Sequence, residues 1–361
     1  MSTPARSRPS PSAEVAHSSG EKVVHDLATL LPGDHRLAEQ LIAGDRRALA
    51  KTITLIESSR ADHQARAQRL LDALLPHTGQ SFRLGISGAP GAGKSTLIEV
   101  LGCHLTAQGH RAAVLAVDPS STLSGGSILG DKTRMERLAA DPNAFVRPSP
   151  SGATLGGVAR KTREAMLACE AAGYDIVIVE TVGVGQSETA VAGMTDCFLL
   201  LALPNAGDDL QAIKRGIVEL VDFVLVNKAD LDPKAAEMAR TQIAGSLALL
   251  RPRSEGWSPK VLTGSARTAD GIAELWAEVE RYRAQASASG ALAARRQAQA
   301  LDWMDALIDD ALRAQFHGAQ AVRAASAEVR ALVSAGRLSA AAGAARLLAL
   351  AHPPVDHDDG R

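Results

Sequence analysis

The sequence predicts an α/β fold: a mostly parallel sheet with helices on both faces, extended by helical segments at each end. Three observations predict it. Short apolar runs recur at FRLGIS, AAVLAVD, DIVIVE, CFLLLALP and DFVLVNK, separated by stretches rich in Ala, Arg and Glu, and strands alternating with helices imply βαβ units. The runs are apolar throughout, as expected of strands covered on both faces. Finally, RLGISGAPGAGKSTLIEVLG sets a glycine-rich loop between a strand and a helix, the context of a phosphate-binding loop.

The bulk composition narrows the function. With 46% hydrophobic residues and ordinary charge content, the 361-residue chain can bury one large domain with appendages, or two domains. A formal net charge of −1 gives no global electrostatic case for nucleic acid or an anionic membrane. Aromatics at 3% argue against base-stacking platforms. Cys103, Cys169 and Cys197 are widely spaced, without a CxxC pair, which suits reduced thiols in the cytoplasm rather than a zinc site or disulfide framework. No apolar run approaches the roughly 18 residues of a membrane span.

Taken in order, residues 1–21 are read as a disordered tail without the apolar stretch of a secretory signal. Residues 22–78 read as an N-terminal helical extension, with Leu and Ile at three- and four-residue spacings and Gly44-Asp45 as a cap signal. The strand–helix alternation occupies 79–285 as the nucleotide domain. The segment AQASASGALAA reads as a linker or frayed helix into a C-terminal helical arm, 286–350, and 351–361 reads as a second disordered tail. The arm either packs on its own domain or forms a dimer contact.

The strongest motif is G-x-x-x-x-G-K-S at Gly88, Ala89, Pro90, Gly91, Ala92, Gly93, Lys94 and Ser95. Its glycines let the backbone curl so that N–H groups point at phosphate oxygens, and the new helix adds its positive end. Lys94 can reach the terminal phosphates, the Ser95 hydroxyl can take a magnesium position, and Thr96 can add a phosphate contact. Downstream, Asn227-Lys228-Ala229-Asp230 follows an apolar strand. The Asp230 carboxylate can accept from guanine N1–H and the exocyclic amine, whereas adenine would face it with another acceptor. Asn227 can tie this loop to the phosphate loop, and the Lys228 stem can lie along the base. Ser265-Ala266, followed by Arg267, supplies the last guanine loop. Three motifs in this order define a GTP site.

Alone, Glu180 at the end of VIVE would be a solvated turn acid. In this chain order, Glu180-Thr181-Val182-Gly183 falls where GTPases place an acid-x-x-Gly turn: the carboxylate holds Mg²⁺ and the Gly183 N–H senses the γ-phosphate. Val184 stands where a water-orienting Gln is usual, and Gln186 comes two residues later, so slow unaided hydrolysis is expected. Asp118 and Asp131 also end or follow apolar strands, and three carboxylates around one phosphate site suit Mg²⁺. Lys132 and Arg134 are candidate phosphate cations.

GAPGAGKST, VDPSS, GGSILGDKTRM, RPSPSGATLGG, ETVGVGQSE, PNAGDDLQAIKRGI and NKAD occur here in the order found in the methylmalonyl-CoA mutase-associated G-protein chaperones, so the chain resembles that family. It is the MeaB family, also called MMAA- or ArgK-like, within the SIMIBI P-loop GTPases. The resemblance runs from about residue 22 to about residue 350. It implies a cytoplasmic homodimer that uses GTP, GDP and Mg²⁺ and binds an adenosylcobalamin-dependent acyl-CoA mutase, with an adenosyltransferase as a further partner. The GTP cycle would gate delivery of the mutase's cobalamin and protect the mutase. The resemblance assigns Asp118, Asp131 and Glu180 to the magnesium and nucleotide. It assigns Leu203–Lys214 to a further switch loop, with Lys214 needed for mutase-stimulated hydrolysis. Gly264 departs from the small polar residue or cysteine expected there. Two alternatives are a nickel-insertion GTPase, which should carry clustered His or Cys ligands, and a kinase of a transport protein.

Overall fold

The computed structural model describes residues 27–117, 135–148, 155–181, 187–204, 215–250, 252–254 and 256–351. Seven strands form one sheet: β1 (Phe82–Gly88), β2 (Ala112–Val117), β3 (Ala144–Arg147), β4 (Ile176–Thr181), β5 (Cys197–Ala202), β6 (Phe223–Val226) and β7 (Lys260–Thr263). Their order is β3-β2-β4-β1-β5-β6-β7, and the β2–β3, β2–β4, β1–β5, β5–β6 and β6–β7 pairs are parallel. Edge strand β3 is too short to stand out in sequence beside the longer apolar runs. The chain divides into two compact units, the first ending at Arg83 and resuming over Lys94–Ser187, the second made of Leu84–Gly93 and the chain from Glu188 onward.

In the first unit the N-terminal segment forms α1 (Pro32–Ile42), α2 (Arg46–Glu57) and α3 (Ala61–Leu74), followed by α4 (Lys94–Ala107), α5 (Glu136–Ala140) and α6 (Leu155–Ala171). Asp45 separates α1 from α2 by accepting hydrogen bonds from the N–H groups of Arg47 and Ala48, which satisfies two donors at a helix start. α2 buries Leu49, Ile53 and Ile56 along one face and packs on α3 and α6. Its C-terminal end is fastened by Glu57, whose carboxylate pairs with Arg147 of β3 and whose carbonyl accepts from Lys161 Nζ at 2.6 Å. Strand register sets Ala116 of β2 opposite Glu180 of β4.

The second unit continues with α7 (Ser187–Ala192), α8 (Arg215–Val218), α9 (Pro233–Leu247), α10 (Ile272–Ala288), α11 (Ala291–Gly318), α12 (Gln320–Ser334) and α13 (Ala340–Ala351). The linker reading of AQASASGALAA is corrected here. Helix α10 runs through Ala288, and only Ser289 and Gly290 separate it from α11. The Ala and Ser of this stretch keep the helix going, and Gly290 breaks it by taking φ +75°. α10 buries Ile272, Leu275, Trp276, Val279 and Tyr282. The base of α11 is held instead by buried charge. Arg296 donates from Nε and Nη2 to the two oxygens of Asp196 at 2.8 and 2.6 Å, and Arg295 donates to the Asp196 carbonyl and the Tyr282 hydroxyl. Farther along α11, Leu301, Met304, Ile308 and Leu312 are exposed. Among the described residues, no helix is long and apolar enough to cross a membrane.

Candidate active site

The motif residues fall into two groups, one in each unit. In the second unit the glycine-rich loop leaves β1 at Gly88, and Pro90 and Gly91 are exposed while Ala92 is fully buried. Asn227, itself buried at the end of β6, spans two neighbouring loops with one side-chain amide. Its Nδ2 donates to the Ala92 carbonyl at 2.7 Å, and its Oδ1 accepts from the Ala266 N–H at 2.9 Å. A Cβ on Gly93 would lie 2.6 Å from that Nδ2, and Gly93 has φ +95°. Glycine there is therefore required twice, by clash and by backbone conformation. The following loop is drawn in by the Ala229 N–H, which donates to the Gly264 carbonyl at 3.0 Å. Lys228 sits at φ +61°, a strained conformation for a residue with a side chain.

The departure at Gly264 has a steric cause. A Cβ there would stand 2.8 Å from the Asp270 carbonyl oxygen, the same oxygen that accepts from the Ser265 N–H at 2.9 Å. Buried Ser265 in turn accepts at Oγ from the N–H groups of Arg267 and Thr268. Asp230 lies beside this turn. An Arg267 Nη2 is 2.8 Å from its Oδ2, yet both carboxylate oxygens are buried and, among the described residues, neither takes a well-directed hydrogen bond. The nearby Ser265 hydroxyl, ahead of the Arg267 charge, holds the Asp230 carboxyl below its ordinary pKa. A buried carboxylate that is ionised and open at both oxygens fits the paired N–H donors of guanine.

In the first unit Lys94 opens α4 and is largely buried, Ser95 follows half-buried, and Thr96 is exposed. The Ser95 hydroxyl is 3.4 Å from Glu180 Oε1, and Glu180 is buried at the last turn-out of β4. A hydroxyl and a carboxylate side by side are hard oxygen donors of the kind Mg²⁺ takes. Asp118, Asp131, Lys132, Arg134, Gly183, Val184, Gln186 and Lys214 lie outside the described residues. Among the described residues, no group of three His, Cys, Asp or Glu is placed to hold a metal. The buried charges at Asp196 and Asp222 escaped sequence reasoning. Their signal was an acid immediately before two apolar strands, with an Arg-Arg pair downstream.

A family model described as "Methylmalonyl Co-A mutase-associated GTPase MeaB" matches residues 49–321. The chain belongs to the MeaB family of GTPases. Its nucleotides are accordingly GTP and GDP, and its reaction is GTP hydrolysis. A Caulobacter vibrioides protein carrying a GTPase name is 56% identical over 313 residues, covering 87% of this chain and 96% of that one. The mitochondrial methylmalonic aciduria type A homolog of Mus musculus is 48% identical over 324 residues, covering 87% of this chain and 78% of the mouse protein. The crystal structure of a LAO/AO transport system kinase matches at 36% identity with a TM-score of 0.72, covering 92% of this chain and 98% of that one. The seven-stranded sheet and the phosphate loop are thus the P-loop GTPase framework of a MeaB-family chain, and the helical ends come with it.

Proposed function

We propose that this MeaB-family GTPase is a cytoplasmic chaperone of an adenosylcobalamin-dependent acyl-CoA mutase, methylmalonyl-CoA mutase or a relative. In this reading its GTP cycle gates delivery of the cobalamin cofactor and protects the mutase. The observation that carries the reading is the family match over residues 49–321, whose description names the mutase association. The mouse relative's name, methylmalonic aciduria type A homolog, supports the same metabolic setting. The cobalamin belongs to the mutase.

The roles follow from the chemistry of the side chains and, for Asp118, Asp131 and Lys214, from the family resemblance. Asp230, Asn227, Lys228 and the Ser265–Arg267 turn select guanine. The N–H groups of Gly88–Gly93 and the Lys94 ammonium hold the phosphates and stabilise charge as water attacks the γ-phosphate in line. Ser95, Glu180, Asp118 and Asp131 would hold Mg²⁺, which neutralises charge on the β- and γ-phosphates when bound. Gly183 would sense the γ-phosphate, and Gln186 and Lys214 would complete the catalytic site when the mutase is engaged. A homodimer through the exposed α11 stripe gives the arm a partner. A switch of this kind needs different partner affinity in its GTP and GDP states.

The test is phosphate release from GTP and ATP, with and without an adenosylcobalamin-dependent mutase. GTP-only turnover that rises with the mutase is expected, and Lys214→Ala should keep GTP affinity while losing the stimulation. Unchanged stimulation in that variant would remove Lys214 from the mechanism. No stimulation by any such mutase would remove the chaperone reading. The kinase named in the related crystal structure predicts a phosphorylated protein in place of free phosphate, so the same assay separates the two.

A further inference from the structure

We propose that Arg267 is a positioning residue for base selection: it keeps the Asp230 carboxylate charged and in place while leaving its acceptor directions open to guanine. The inference rests on the guanine reading of the Asn227–Asp230 loop and deepens it.

The argument starts from a contrast among the ion pairs of this chain. Arg66 with Asp34 and Arg296 with Asp196 each make two directed hydrogen bonds to their carboxylates. Arg147 and Glu57 do the same. Such pairs fill the acceptor lobes and lock two elements together. Arg267 and Asp230 are different. The guanidinium is close, 2.8 Å from Oδ2, and the Ser265 hydroxyl also lies beside the carboxylate, but among the described residues neither carboxylate oxygen meets a donor along a hydrogen-bond direction, although both are buried. The charge is compensated and the lone pairs are left unfilled.

The surroundings suit that role. The Asp230 side chain is 11% exposed and that of Arg267 is 73% exposed, so the cation stays hydrated and contributes no desolvation cost of its own. Its backbone is fixed instead, by the Arg267 N–H donating to Ser265 Oγ at 3.2 Å. A buried acid without a counter-charge would resist ionisation, and a protonated Asp230 would present a donor where guanine also presents donors. An arginine filling both lobes would compete with the base. A close cation off the hydrogen-bond directions avoids both faults.

The experiment is a calorimetric titration of GDP and XDP into wild type, Arg267→Ala, Arg267→Lys, Asp230→Asn and the Asp230→Asn/Arg267→Ala double variant, with circular dichroism to verify folding. Arg267→Ala should weaken GDP about fivefold, the upper range for an exposed ion pair, and Arg267→Lys should recover most of it. Asp230→Asn should weaken GDP on the order of 10²-fold or more and bind XDP, because its amide donates to the xanthine O2 and accepts from N1–H. In that neutral background, removing Arg267 should leave XDP affinity unchanged. A merely structural Arg267 would lower XDP affinity equally in the double variant, which overturns the proposal. So would unchanged or tighter GDP binding by Arg267→Ala, since the latter marks a competitor. If Asp230→Asn keeps full GDP affinity, the guanine reading itself fails.

Discussion

At the residue scale, one amide does the joining. Asn227 holds the Ala92 carbonyl with its donor and the Ala266 N–H with its acceptor, so two loops far apart in sequence share one buried side chain. Truncation to Ala leaves both backbone groups without that partner, at about 1–3 kcal/mol each in a buried setting. Asn227→Ala is expected to weaken GDP on the order of 10²-fold while the protein remains folded, as read by equilibrium titration. Affinity within a factor of about three would mean that the loops hold their places without the brace. The sequence pattern N-K-x-D marked Asn227 because the residue type suits both bonds. It could not mark the Ala92 carbonyl, since any residue offers one.

At the element scale, the contact of α2 with α6 combines apolar packing with two unsatisfied hydroxyls. Thr52 on α2 and Thr162 on α6 are buried, and among the described residues neither Oγ1 has a hydrogen-bond partner. A buried hydroxyl without a partner costs free energy that a methyl of the same shape does not. Thr52→Val and Thr162→Val are each expected to stabilise the protein, by about 1 kcal/mol in urea denaturation. Loss of stability in both would show that these hydroxyls are satisfied in solution. The helices themselves were legible from their spacing of Leu and Ile, and the α1–α2 break from Gly44-Asp45. What α2 packs on was not, because an amphipathic stripe announces a buried face without naming its cover.

At the scale of the whole molecule, α11 is anchored at its base and exposes an apolar stripe beyond it. Asp196, fully buried, takes both directed bonds of Arg296, and Gln299 Nε2 donates to the Thr195 carbonyl at 2.9 Å. The exposed Leu301, Met304, Ile308 and Leu312 recur at three- and four-residue intervals, the spacing of a helix face made to be covered. With a second copy as the cover, Ile308→Glu should convert a dimer to a monomer in sedimentation velocity, with GDP affinity retained. A variant that sediments as wild type would leave this stripe outside the interface.

The sequence by itself determined the fold class and the reaction class of this protein. Strands covered on both faces must be apolar throughout, a phosphate loop must be glycine-rich, and guanine must be met by a carboxylate, so each requirement leaves a local mark. The tertiary structure alone decided the partners. Gly264 is required by the Asp270 carbonyl, Arg267 stands beside Asp230 without filling its lone pairs, and Asp196 is neutralised by an arginine from a helix 100 positions away. These are distances between groups remote along the chain, set by strand order and helix packing, and residue type constrains them only weakly.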